Sequence, residues 1–243
     1  MTGGAGGIGA AIVRAFAAEG ADVAVHYRTS REAAVALAAE VDGIALEADL
    51  TVEAAADRLV PRVVDALGRL DVCVANAGRW PPDDVPLSDL SLRRWEDTIA
   101  TNLTATFLTL RAFLRHAATV GSGAAVLVGS TAGTYGEAGH GDYAAAKGAV
   151  MTGLLATAKN EAGRHGIRVN AVAPGWTVTP RREAEGLPSD AVARATATMA
   201  LDKLGRPEDV AAQVVVLASD RLSGHVTGQV VVVAGGMEGR VLR

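Results

Sequence analysis

One cysteine occurs in 243 residues, so no disulfide can close within the chain. It is Cys73, set in an apolar run, where a buried small hydrophobe is the expected reading. The five histidines, His26, His116, His140, His165 and His225, show no metal-ligand spacing with cysteine or carboxylates, and no metal is expected. Long hydrophobic runs are missing too. Runs such as 214–218 and 230–234 are far too short to span a bilayer, and no basic leader-like start precedes them. A soluble, cytoplasmic protein with no membrane partner is expected. Charge of either sign is never concentrated: the net charge is −4 and the arginines are scattered, which gives no footprint for nucleic acid and favours a small-molecule partner. No Pro/Gly/Ser-rich linker and no internal repeat divides the chain, and 49% hydrophobic residues suffice for one large core. One domain over residues 1–243 is the expected organisation.

Tyrosine and lysine are scarce, three of each, so a Tyr and a Lys spaced by four stand out at Tyr143 and Lys147. The segment from Gly141 to Met151 reads as a helix, which puts positions i and i+4 on one face. Ser130 follows the apolar run 124–129 and is placed to join them. A free tyrosine ionises near pH ~10, so a base at neutral pH needs a pKa lower by roughly 3 pH units, about 4 kcal/mol. A lysine cation at ~5 Å, with an effective dielectric of ~20, supplies on the order of 3 kcal/mol toward this. The expectation is therefore a tyrosine whose pKa is lowered by Lys147.

The chain opens Thr2-Gly3-Gly4-Ala5-Gly6-Gly7-Ile8-Gly9 and runs into a helix over 10–19 that stops at Gly20. Glycines at 3, 7 and 9 allow a tight turn, close approach of backbone to a pyrophosphate, and close helix packing. The helix N-terminus then faces the phosphates. Beyond it, strand-like runs at 22–27, 43–48, 70–75, 124–129, 168–173 and 229–233 alternate with helical stretches at 30–40, 52–67, 92–118, 142–164 and 207–218. That alternation predicts an α/β fold, a Rossmann-type doubly wound parallel sheet with helices on both faces. Thr29 and Glu32 have capping-box spacing, Pro207 stands where a first-turn proline belongs, and Pro61 should kink its helix by removing a bond to the Asp57 carbonyl. A glycine loop of this kind needs a strand before it, and the sequence begins at Met1. The expectation is that the natural start lies upstream, with Met1 in the last position of a first strand.

The strand ahead of the second helix ends Val25-His26-Tyr27-Arg28-Thr29-Ser30, with no carboxylate to bond an adenosine 2′-hydroxyl. Arg28 can instead pair with a 2′-phosphate, which points to NADP, with NAD still open.

Taken together, these residues resemble the classical short-chain dehydrogenase/reductase family over essentially the whole chain. Thr2-Gly3 with Gly7-Ile8-Gly9 is similar to its cofactor fingerprint, and Asn76-Ala77-Gly78 to its Asn-Ala-Gly turn. Asp49 looks like the residue that caps the adenine ring. Pro174-Gly175 followed by Thr179 resembles the turn that contacts the nicotinamide carboxamide and phosphates. Asn102 matches the asparagine that completes a catalytic tetrad with Ser130, Tyr143 and Lys147. The resemblance implies that Tyr143 is the proton donor in reduction and the base in oxidation. Lys147 would lower its pKa and bond the nicotinamide ribose, Ser130 would hold the carbonyl oxygen, and Asn102 would hold a water. Cofactor contacts are implied for Gly3, Gly7, Ile8, Gly9, Arg28, Asp49, Asn76, Ala77, Gly78, Tyr143, Lys147, Pro174, Gly175 and Thr179.

Two positions depart from the pattern. Ala75 stands where the family has asparagine, and Ala234 where it has aspartate, the second expected to loosen a turn. The family reading implies a carbonyl or alcohol substrate, with a 3-oxoacyl thioester among the candidates. A lid over 176–204, with Arg181, Arg182, Glu183 and Glu185, selects it, and Trp80 and Trp176 are candidate pocket walls. It also implies a homotetramer built on the helices at 92–118 and 142–164. A sugar or polyol dehydrogenase, a non-catalytic cofactor sensor and an inactive truncated product stay open as alternatives.

Overall fold

A computed structural model describes residues 1–237. The glycine loop opens directly into helix α1 (Gly7–Ala18), three residues earlier than the sequence suggested. There follow β1 (Ala24–Tyr27), α2 (Arg31–Glu40), β2 (Ile44–Glu47), α3 (Glu53–Leu67) and β3 (Val72–Ala75). Next come α4 (Leu92–Ile99), α5 (Ala105–Val120), β4 (Gly123–Val128), the short α6 (Ala132–Tyr135), α7 (Gly141–Ala149) and α8 (Leu155–Ala162). The chain continues through β5 (Ile167–Pro174), α9 (Pro180–Glu185), α10 (Ser189–Thr196), α11 (Pro207–Ala218), the short α12 (Asp220–Ser223) and β6 (Val230–Val233).

All strand pairs are parallel. The order β3-β4-β5-β6 forms one sheet and β1-β2 a second. Residues at the start of the chain sit between the two. The Met1 amine donates to the Ala24 carbonyl at 2.9 Å, and the His26 N–H donates to the Met1 carbonyl at 3.0 Å. On the other side the Thr2 N–H donates to the Val74 carbonyl at 3.0 Å. Met1 thus occupies an extended position beside β1, and Thr2 reaches β3.

Helices cover both faces of the larger sheet, as a parallel sheet requires. On one face Leu110, Phe113 and Ala117 of α5 and Leu155 and Ala158 of α8 pack on Ala125, Leu127, Val169 and Ala171. On the other, Ile12 of α1 and Val210, Val214 and Leu217 of α11 pack on Val126, Val128 and Val172. Every residue of β5 is buried, including Arg168 and Asn170, whose side chains bond the Leu217, Ala218 and Val226 carbonyls.

Three local expectations are corrected. The stretch 92–118 is not one α-helix, because a π-helical turn at Ala100–Thr104 separates α4 from α5. The stretch 142–164 is likewise interrupted at Val150–Leu154 and ends in a 3₁₀ turn at Gly163–His165. No side chain caps α2, whose N-cap is Ser30, so the Thr29 capping box does not form. Asp209 does serve α11, its carboxylate accepting from the Arg206 N–H at 2.8 Å, with Pro207 in the first turn. Helix α3 runs on through Pro61.

Candidate active site

The C-terminal ends of the parallel strands lie along one edge, and the predicted residues follow them. This is the edge where open α/β sheets bind ligands. The glycine loop is the tightest part. Gly3 has φ +60°, and a side-chain carbon on Gly9 would collide with the Gly3 carbonyl oxygen. One on Gly7 would lie 2.6 Å from the Thr179 side chain, so the start of α9 closes directly over the loop. No side chain caps α1, which leaves its first-turn N–H groups for an anion.

The loop is held from behind by Thr2, Asn76 and His26. The Asn76 side-chain amide donates to the Thr2 and Gly3 carbonyls, each at 3.1 Å. The Thr2 hydroxyl accepts from the Asn76 and Ala77 N–H groups at 3.0 and 3.1 Å. Buried His26 was missed by motif reading. Its Nδ1 accepts from the Gly3 N–H at 3.1 Å and its Nε2 lies 3.0 Å from the Ala48 carbonyl. Burial pushes its pKa down to about 4, so near neutral pH the ring is uncharged, with Nε2–H donating.

A cavity of about 1000 Å³ opens in front of this loop. Of the predicted cofactor contacts, Gly3, Arg28, Asp49, Ala77, Gly78 and Thr179 line it. Gly7, Ile8, Gly9, Asn76, Tyr143, Lys147, Pro174 and Gly175 do not. Asp49 is held by Thr51, whose N–H and hydroxyl donate to its Oδ1 at 3.0 and 2.7 Å. Those bonds and nearby Arg28 keep its carboxyl below the usual range. Pro174 and Gly175 are fixed by backbone bonds, from the Thr131 N–H to the Pro174 carbonyl and from the Gly175 N–H to the Val233 carbonyl, each 3.0 Å. Ala234 does not leave the following turn open: it is buried against Gly175, and its carbonyl accepts from the Met237 N–H at 3.1 Å. Trp80 lines the cavity, whereas Trp176 is exposed outside it.

The tetrad candidates converge around Gly78. A side-chain carbon there would lie 2.6 Å from Asn102 Oδ1 and 3.3 Å from Lys147 Nζ. Asn102 is wholly buried in the π-helical turn, where its Nδ2 donates to the Thr98 carbonyl one turn back at 3.1 Å. Lys147 Nζ donates to the Val128 carbonyl at 2.8 Å and stands 5.8 Å from the Tyr143 ring centroid. Ser130, whose hydroxyl accepts from the Ala132 N–H at 3.2 Å, lies near enough to the Tyr143 phenol to lower its pKa.

The electrostatics correct one expectation. Burial pushes Tyr143 up to about 12, nearby Ser130 pulls it back only partly, and Glu137 raises it further. Burial also pushes Lys147 down to about 8. Loss of solvation dominates both groups, and Lys147 does not lower the Tyr143 pKa as its spacing suggested.

Two supports carried no sequence signal. Asp142, next to the tyrosine and wholly buried, accepts from Arg94 at 3.1 Å and Thr98 at 2.8 Å, tying α7 to α4. Gly133 lets α6 press onto α7, since a side-chain carbon there would lie 2.5 Å from the Gly148 nitrogen.

Residues 3–238 match the family described as Enoyl-(Acyl carrier protein) reductase. Among individual proteins, the chain is 39% identical to cis-4-hydroxycyclohexanecarboxylate dehydrogenase of Sinomonas cyclohexanicum, over 97% of this chain and 94% of that one. It is 38% identical to a 3-oxoacyl-[acyl-carrier-protein] reductase of Thermotoga maritima, over 98% and 96%. The corresponding reductase of Synechocystis is 35% identical, over 98% and 95%. With a family match over nearly its whole length, a parallel sheet covered on both faces and these relatives, the chain belongs to the classical short-chain dehydrogenase/reductase family of oxidoreductases.

Proposed function

We propose that this protein interconverts a ketone or aldehyde and an alcohol, with Tyr143 exchanging the proton at the substrate oxygen. The family implies a nicotinamide cofactor, and the residues fit one: a glycine cradle that any side chain would fill, an uncapped helix start, and a cavity reaching from Arg28 to Trp80. When bound, the nicotinamide supplies or accepts hydride. Lys147 and Thr179 are suited to hold the ribose and phosphate side of such a group, and Asp49 the adenine.

In the reductive direction the phenol of Tyr143 gives its proton to the oxygen as the carbonyl carbon gains hydride. A pKa pushed up to about 12 leaves the phenol protonated at neutral pH but a weaker acid than a free tyrosine, so proton transfer needs positive charge beside the forming tyrosinate. Ser130, beside the phenol, is suited to share the same substrate oxygen. Lys147 supplies positive charge toward the tyrosinate left behind. Asn102 holds the turn that lets Lys147 and Gly78 meet. The observation that carries this reading is the convergence of Asn102 and Lys147 on Gly78, with Lys147 Nζ 5.8 Å from the Tyr143 ring centroid.

Arg28 supports NADP over NAD, because it lines the cavity where residues 26–30 offer no carboxylate. A homotetramer is part of the proposal. Leu92 on α4 with Phe107 and Val120 on α5 are exposed, and so are Val230 and Val232 on edge strand β6. The test is a panel of ketones and aldehydes assayed by consumption of NADPH and of NADH. Turnover of at least one carbonyl, with the higher kcat/KM on NADPH, is expected; a cofactor that binds without any turnover across the panel points to a sensor instead.

A further inference from the structure

Three segments that are distant in sequence meet at the mouth of the cavity. Arg79 and Trp80 follow the Gly78 turn, Glu137 and His140 precede α7, and Arg182 lies in the first turn of α9. The Trp80 ring stacks on buried His140 with centroids 4.3 Å apart and an interplanar angle of 24°. Its indole N–H donates to Glu137 at 3.1 Å, and the Arg182 guanidinium lies 5.2 Å from its ring centroid. The Arg79 backbone is held at both its N–H and its carbonyl by Asn102, each bond 3.0 Å. Trp80 is therefore a fixed wall, joined through Arg79 to Asn102.

Arg79 and Arg182 both line the cavity, and neither side chain has a carboxylate partner among the described residues. Of the nearby carboxylates, Glu137 accepts from Trp80 and Glu185 has its own interaction. Guanidinium groups pair bidentately with carboxylates and phosphates, and aromatic faces pack against apolar rings. Two such cations beside one aromatic wall, a turn away from Lys147, form a recognition surface for something larger than a bare carbonyl.

Resting on the oxidoreductase reading above, we propose that the substrate is an oxo or hydroxy acid. Its carboxylate pairs with Arg79 and Arg182, and its apolar, preferably cyclic, body lies against the exposed edge of Trp80. A cofactor phosphate offers the same anionic chemistry, and the experiment separates the two.

The full chain is assayed with 4-oxocyclohexanecarboxylate and with 4-methylcyclohexanone at saturating NADPH, as wild type and as the Arg79→Gln/Arg182→Gln double variant. Wild type is expected to favour the oxo acid by at least tenfold in kcat/KM, mostly through KM, and the double variant to lose at least tenfold of that preference. A wild type that favours the neutral ketone or a 3-oxoacyl thioester overturns the proposal. So does a double variant whose change lies in the KM for NADPH. Calorimetric titration with cyclohexanecarboxylate adds a readout that needs no turnover: binding by wild type, weakened at least tenfold in the double variant, is expected even if neither ketone is reduced. In that case only the reaction assigned above fails, whereas absence of binding to wild type overturns the acid site itself.

Discussion

Asn102 and Arg79 are joined by a reciprocal pair of hydrogen bonds. Asn102 Oδ1 accepts from the Arg79 N–H and Asn102 Nδ2 donates to the Arg79 carbonyl, each at 3.0 Å. The clamp fixes Gly78 where Lys147 Nζ passes, and it leaves no room for a side chain there. Gly78→Ala should therefore displace Asn102 or Lys147 and lower kcat/KM by on the order of 100-fold with the fold kept. Asn102→Ala should cost about 2 kcal/mol of stability, by leaving the Arg79 and Thr98 backbone groups unpaired. Steady-state kinetics and urea unfolding check both.

Lys147 is held for function against its own solvation. Its pKa in the fold, about 8, lies below the ordinary 10.5, so between those values the unfolded chain binds more protons and stability rises with pH. Below pH 8 the full cost of the buried charge is present, on the order of 3 kcal/mol. Lys147→Met should be inactive yet more stable at pH 7, and should lack the wild-type rise in stability between pH 8 and 9.5. Urea unfolding across that range is the measurement, and a Met variant less stable at pH 7 would contradict it.

His26 works through the glycine loop. Burial holds its pKa at about 4, below the ordinary 6.5, so the unfolded chain takes up the extra proton first as pH falls through that window. Wild type should lose on the order of 3 kcal/mol from this group between pH 6.5 and 4. His26→Gln should show a flatter acid limb in unfolding experiments. It should also raise the KM for NADPH more than it changes kcat, since Gly3 loses its acceptor.

What the sequence made legible was local. Tyr143 and Lys147 are four apart on one helix, and the glycines at 3, 7 and 9 stand beside the helix they open, so spacing alone located them. The resemblance named Asn102 but not its clamp, because Arg79 is 23 positions away and the π-helical turn that seats the asparagine has no apolar period of its own. The Arg94–Asp142 pair spans 48 positions and the Gly133–Gly148 contact joins two helices, so neither leaves a pattern in a linear window. The direction of the Tyr143 shift depended on burial, which charge spacing does not report. The Thr29 capping box failed because helix α2 starts one residue later than that spacing needed.

The central claim is that Tyr143 carries the proton, and Tyr143→Phe tests it most directly. The variant keeps the ring and its packing while removing the hydroxyl beside Ser130. NADPH binding, followed by fluorescence titration, should stay within about threefold of wild type while kcat falls by at least roughly 1000-fold. A Phe variant that reduces its carbonyl substrate at a near-normal rate would contradict the account.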